Sequence, residues 1–227
     1  MEPGVIQQLD TLYGSGQIVG RTGKVFNSLG ALSTRSNLET IDSILREARP
    51  EHTLEIGLSF GGSATVFSWF HKSQSPSACR KHIALDPFQS SVWDDLGRLK
   101  LAEAGLAEYV EVIEQKSCIA LPKLLDEKRR FGVIYIDGSH LFEDVFVDAY
   151  YCVRLLDDGG YLLFDDCSDP HVRKVLRFLD SSVPGVQRQP DPTFRQRVAR
   201  AVGRRQLTIY RRIGEVEREW NAKFQEF

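Results

Sequence analysis

Leu54-Glu55-Ile56-Gly57-Leu58-Ser59-Phe60-Gly61-Gly62-Ser63 runs from an apolar strand through an acid into a glycine-rich turn that opens a helix. In an open parallel sheet, ligands bind in the crevice beyond the carboxyl ends of the strands, and glycines let the backbone approach them closely. The stretch therefore predicts an α/β fold with a nucleotide-like cofactor at this turn. Its spacing narrows the choice of cofactor. A dinucleotide fingerprint needs G-x-G-x-x-G, whereas Leu58, Ser59 and Phe60 separate Gly57 from Gly61, giving E-x-G-x-x-x-G-x-S.

Outward from this turn, strands and helices alternate, which argues for a parallel sheet covered on both faces. Strands are expected near 53–57, 82–86, 110–114, 132–136 and 160–165, with a late strand over Gln206 to Arg212. Upstream, Ser36-Asn37-Leu38-Glu39 reads as a capping box. Leu38, Ile41, Ile44, Leu45 and Ala48 then repeat at helical spacing until Pro50. Gly14, Gly16, Gly20 and Gly23 cluster between two short apolar patches, so residues 1–35 read as a mobile arm or lid and residues 36–227 as one domain. The run ending Gly23-Lys24 is not a phosphate-binding loop: Ile18 stands where a glycine is required, and Val25 replaces the Ser or Thr that would hold magnesium. Ser181 to Thr193, rich in Ser, Pro and Asp, reads as a loop.

With 227 residues, a formal charge of -2 and 26% charged residues, the chain has room for one sizeable core and no overall field that demands nucleic acid or a membrane. Its start lacks a basic segment followed by an apolar run, and no apolar stretch is long enough to span a bilayer; a cytoplasmic location is expected. Cys79, Cys118, Cys152 and Cys167 form no C-x-x-C pair, and three lie beside apolar runs, which predicts buried reduced thiols. From His171 to Arg212 eleven Lys and Arg face two acids. This bias reads as a solvated face, and no RNA-binding motif supports the alternative of an acidic partner.

Three further stretches carry chemistry. In Lys81-His82-Ile83-Ala84-Leu85-Asp86-Pro87, Asp86 ends a strand where a carboxylate can accept hydrogen bonds from both ribose hydroxyls. In Glu114-Gln115-Lys116-Ser117-Cys118, Ser117 is placed to read an adenine edge at a strand end. Phe131 to Ile136 ends in Asp137-Gly138-Ser139-His140, and Gly160 to Phe164 ends in Asp165-Asp166. On adjacent parallel strands Asp137, Asp165 and Asp166 would repel one another unless protonated or bridged by a cation, and Mg2+ or a similar hard divalent ion suits such a set. The same acids, read structurally, would cap the helices that follow.

In order and spacing these motifs resemble the metal-dependent class I O-methyltransferases, most nearly their natural-product and sugar branch. They are more distantly similar to catechol and caffeoyl-CoA O-methyltransferases. The resemblance covers roughly residues 36–180. It implies a Rossmann-like, doubly wound, mostly parallel sheet with an antiparallel late strand. It further implies S-adenosylmethionine (SAM) at Glu55, Gly57, Gly61, Ser63, Asp86 and Ser117, and a metal at Asp137, Asp165 and Asp166. The acceptor would be a small hydroxyl compound and the protein a homodimer. Catechol enzymes carry Asn where Asp166 stands and Lys where His140 stands, which argues against a catechol acceptor.

Methyl transfer from a sulfonium is an in-line displacement, so the remaining problem is to deprotonate the acceptor hydroxyl. His140, three residues beyond Asp137, is the expected general base. Two other classes are an NAD-dependent oxidoreductase, disfavoured by the glycine spacing, and a non-catalytic SAM-binding protein, which would need neither the acids nor His140.

Overall fold

The computed structural model describes residues 1, 3–14, 16–27, 30, 32–74, 81–190 and 207–227. The chain forms two compact units, Met1–Arg49 with Thr53–Lys116, and Pro50–His52 with Ser117–Phe227. The first contains α1 (Pro3–Tyr13), β1 (Ile18–Val19), β2 (Val25–Phe26), α2 (Arg35–Ala48), β3 (Thr53–Ile56), α3 (Gly62–Gln74), β4 (His82–Leu85), α4 (Leu96–Glu103) and β5 (Val110–Ile113). The second contains α5 (Ser117–Asp126), β6 (Phe131–Ile136), α6 (Phe142–Leu155), β7 (Leu156–Phe164), α7 (Pro170–Ser182), β8 (Val186–Arg188) and β9 (Thr208–Arg212).

β3 to β9 belong to a seven-stranded sheet. In the first unit β4 pairs in parallel with both β3 and β5. In the second β6 and β7 are parallel, and β9 runs antiparallel to β7 and β8. This is the doubly wound, mostly parallel α/β arrangement with one antiparallel late strand. Near-continuous burial of β4 and β6 explains why Ile83–Leu85 and Val133–Ile136 are apolar without alternation, whereas β3, equally buried, alternates Thr53-Leu54-Glu55-Ile56.

The helices obey their sequence signals with one shift. α2 buries Leu38, Ile41, Ile44 and Leu45 on one face, but its N-cap is Thr34, whose hydroxyl accepts the Asn37 N–H at 3.2 Å. Ser36 lies inside the first turn, so the capping box expected at Ser36 is displaced by two residues. Asp169 caps α7, accepting the His171 N–H at 2.7 Å, with Pro170 at the first helical position. The buried face of α7 is Val172, Val175, Leu176 and Leu179, while Arg173, Lys174 and Arg177 face solvent. The basic bias is thus a solvated face as far as α7 goes; the arginines from Arg195 to Arg205 lie outside the described residues.

The described residues of the glycine-rich start pack against the rest of their unit. Tyr13 donates its hydroxyl to the Phe60 carbonyl at 2.7 Å, and the Phe60 ring meets Phe26 and Trp93 edge-on at 5.3 and 5.2 Å. The β1–β2 tip is held as well, with the Thr22 N–H on Asp94 Oδ2 at 2.9 Å and Lys24 Nζ on the Val92 carbonyl at 3.0 Å. The glycines set the turns, and Val5, Tyr13 and Ile18 supply the buried apolar contacts. Cys152 and Cys167 are buried as expected, Cys118 is exposed, and Cys79 lies outside the described residues. β8 falls inside the segment that reads as a loop, because three residues give no periodic signal.

Candidate active site

In the first unit, β3 delivers the chain into the turn that the sequence singles out. Gly57 and Gly61 have φ of 95° and 84°, a region that residues with a side chain rarely adopt. A Cβ on Gly61 would also approach the Gly97 carbonyl oxygen to 3.2 Å. Ser59 between them carries φ 47° without being glycine, a locally strained backbone held by its surroundings. Glu55 and Ser63 clasp the two ends of this turn, the Ser63 hydroxyl donating to Glu55 Oε2 at 2.6 Å.

Asp86 leaves β4 buried and supports the turn from below. Its Oδ2 accepts the backbone N–H of Ser59 at 2.7 Å, that of Leu58 at 3.2 Å and the Gln89 amide at 2.9 Å; its Oδ1 accepts the Phe88 N–H at 2.8 Å. Sequence reasoning places Asp86 here for its acceptor capacity, and the structure uses that capacity to hold the glycine turn. Gln89 escaped it. This residue is fully buried and also bonds the Ser59 carbonyl at 2.8 Å, but a glutamine after Asp-Pro-Phe carries no distinctive signal.

In the second unit, Ser117 opens α5 and hydrogen-bonds the carboxyl of Asp148 on α6. Burial pushes Asp148 up to about 7, against a lowering contribution from the Ser117 hydroxyl and with a further push from the like charge of Asp144. One turn along α6, burial raises the Cys152 thiol well above its ordinary range.

The acids at the ends of β6 and β7 divide into two kinds. Asp137, His140 and Asp166 each offer one ligand atom, and these three atoms lie within 4.8 Å of one another. Within this group His140 Nε2 is 2.9 Å from Asp166 Oδ2, and the imidazole is about half exposed. Asp165 stands apart from the group, although it was expected beside Asp137 and Asp166. It is buried, its Oδ1 accepts the Asp166 N–H at 2.7 Å, and its Oδ2 accepts the Tyr135 hydroxyl at 2.5 Å. Tyr135 also reaches Asp137 Oδ2 at 3.1 Å, so one phenolic hydrogen is shared between two carboxylates. That contact relieves part of the repulsion that the sequence assigns to a cation. Asp166 adopts φ 51°, and its carboxylate meets His140 while that of Asp165 meets Tyr135. None of Asp137, Asp165 and Asp166 is an N-cap: Leu141 and Asp169 occupy those positions.

The arrangement can therefore orient an imidazole with one carboxylate while keeping a second carboxylate beside it. Two carboxylates and an imidazole also form a donor set that suits a divalent cation.

A family model described as a methyltransferase domain matches residues 54–167, the stretch that holds every site residue above. A search of curated proteins finds no match. Among solved structures, the SAM complex of the O-methyltransferase TomG from Streptomyces achromogenes, involved in tomaymycin synthesis, is similar at TM-score 0.68 and 16% identity, covering 94% of this chain and 91% of that one. The Bacillus cereus O-methyltransferase in complex with SAH (S-adenosylhomocysteine) gives 0.66 and 16%, covering 94% and 92%. SAH-bound PaMTH1 from Podospora anserina gives 0.68 and 16%, covering 94% and 89%. These likenesses concern the fold.

Proposed function

Because the chain belongs to this methyltransferase-domain family, we propose that it transfers the methyl group of SAM to a hydroxyl of a small molecule, a sugar or a phenolic natural product. The observation that carries the reading is the His140–Asp166 contact at 2.9 Å with Asp137 beside it. A non-catalytic cofactor binder has no use for an imidazole held this way. The cofactor would lie on the glycine turn, with Glu55, Gly57, Gly61, Ser63 and Asp86 around it and Ser117 at its adenine.

In the transfer an acceptor oxygen forms a bond to the methyl carbon as the carbon–sulfur bond breaks, leaving the thioether of SAH. The hydroxyl proton must go to a base. With Nε2 held 2.9 Å from Asp166 Oδ2, Nδ1 of His140 is the nitrogen that would accept it. Asp166 fixes the tautomer, and Asp165 fixes Asp166 through its backbone N–H. Asp137 and Asp166 would hold a magnesium-like ion, which when bound would lower the pKa of the acceptor hydroxyl. Asp165, already engaged by Tyr135 and Asp166, supports those two acids from behind. A homodimer and a cytoplasmic location accompany this reading as proposals; no described helix is long and apolar enough to cross a membrane.

Two expected results test the assignment. Exhaustive metal removal should abolish methyl transfer while leaving calorimetric SAH affinity unchanged, because the acids at β6 and β7 are proposed to touch the acceptor and not the cofactor. Full turnover after chelation would assign activation to His140 and Asp166 alone. Asp86→Ala should weaken SAH binding about tenfold or more, the effect of losing a hydrogen bond to a charged group. It should also lower the urea midpoint, since the Ser59 and Phe88 N–H groups lose their acceptor. Unchanged SAH affinity in a folded Asp86→Ala protein would remove Asp86 from the cofactor site.

A further inference from the structure

Behind the glycine turn, the first unit holds a chain of buried polar groups that the proposed transfer does not use. Glu55 of β3 and His82 of β4 are both 0% exposed, as is Thr53, which lies opposite His82 in the strand register. The Thr53 hydroxyl is 2.9 Å from His82 Nδ1 and 2.9 Å from Nε2 of His71 on α3. His82 Nε2 lies 3.3 Å from Glu55 Oε1, within ion-pair distance, and neither atom makes a hydrogen bond among the described residues. Phe67 stacks on the His82 ring at 4.6 Å and 8°, which sets the plane in which both nitrogens point.

Elementary proton counting constrains these contacts. A hydroxyl has one hydrogen, so Thr53, with an imidazole nitrogen on each side, donates to no more than one ring and accepts from at least one. Hydrogen on the far nitrogen of His82 avoids setting two acceptors against each other where it approaches Glu55 Oε1. Glu55 thus has the His82 Nε2 edge 3.3 Å from one oxygen and accepts the Ser63 hydroxyl on the other. The second of these spans the whole glycine turn. Apolar residues would fill these strand positions without the desolvation that a buried acid and two buried histidines require.

We infer that His82, oriented by Thr53 and His71, is a positioning residue that holds Glu55 and, through Ser63, the glycine turn in the shape that receives the cofactor. This rests on the reading of that turn as the SAM site.

The test combines SAH calorimetry, steady-state kinetics and nitrogen-15 spectra of the full chain. In the wild type, long-range proton–nitrogen spectra should show His82 Nε2 protonated. His82→Leu and the near-isosteric Thr53→Val should raise the SAH Kd, His82→Leu by about tenfold. The effect should appear in KM for SAM with kcat at saturation unchanged. His82→Gln, whose amide N–H can replace Nε2–H, should restore affinity, which a purely packing role would not produce. An unprotonated Nε2, or wild-type affinity in folded Thr53→Val and His82→Leu, overturns the inference alone. Absence of SAH binding in the wild type overturns it together with the cofactor reading.

Discussion

His140→Ala is expected to lower kcat by about 10² to 10⁴ with SAH affinity intact, the usual contribution of a positioned general base. The expectation follows from the geometry, since Nε2 is committed to Asp166 and Nδ1 faces no other described partner. The half-exposed ring needs little rearrangement to meet an acceptor, and its removal takes away only a half-buried side chain. A bound cation would share the work by acidifying the hydroxyl, so the deficit should shrink at high pH, where hydroxide replaces the base. The pH-rate profile therefore discriminates. A wild-type limb that rises as a histidine loses its proton, and that is absent from His140→Ala, supports the role. Superimposable profiles with similar kcat would remove it.

The elements that position this site could be read from the chain because parallel strands buried on both faces must be apolar along their whole length. Ile83 to Leu85, Val133 to Ile136 and Leu162 to Phe164 could hardly be anything else. Short elements gave no such signal, so β1, β2 and β8 were invisible, and the cluster of glycines that set the turns around β1 and β2 suggested mobility where the residues between them pack. Within the site the limit was direction. Asp165 and Asp166 are adjacent in sequence, yet one is buried against Tyr135 and the other meets the half-exposed His140, a division that spacing does not assign. Likewise Asp86 was found for its acceptor capacity, but the donors that take it up, two turn amides and Gln89, come from across a fold that spacing alone cannot close. The polar residues Thr53, Glu55 and His82 sit in strands otherwise read as core, where apolar periodicity hides them.

Asp148→Asn is expected to make the protein more stable at pH 8 and nearly unchanged in stability at pH 4. Burial holds the Asp148 carboxyl up to about 7, whereas in the unfolded chain it titrates near its ordinary value of about 3.9. Between those two values the folded state keeps a proton that the unfolded state has released, so stability falls as pH rises through the window. Below about 4 both states are protonated and the contribution is full; above about 7 both are ionised and the loss is complete. A displacement of about three pH units at 1.36 kcal/mol each corresponds to roughly 4 kcal/mol across the window. The asparagine amide has the shape of the neutral carboxyl and still meets the Ser117 hydroxyl, so it keeps the packing of α6 on α5 and has no charge to desolvate. Urea unfolding of both proteins at pH 4, 6 and 8 measures the difference directly. If the wild type and Asp148→Asn lose stability in parallel from pH 4 to 8, the decline belongs to other groups and Asp148 is ionised in the folded protein.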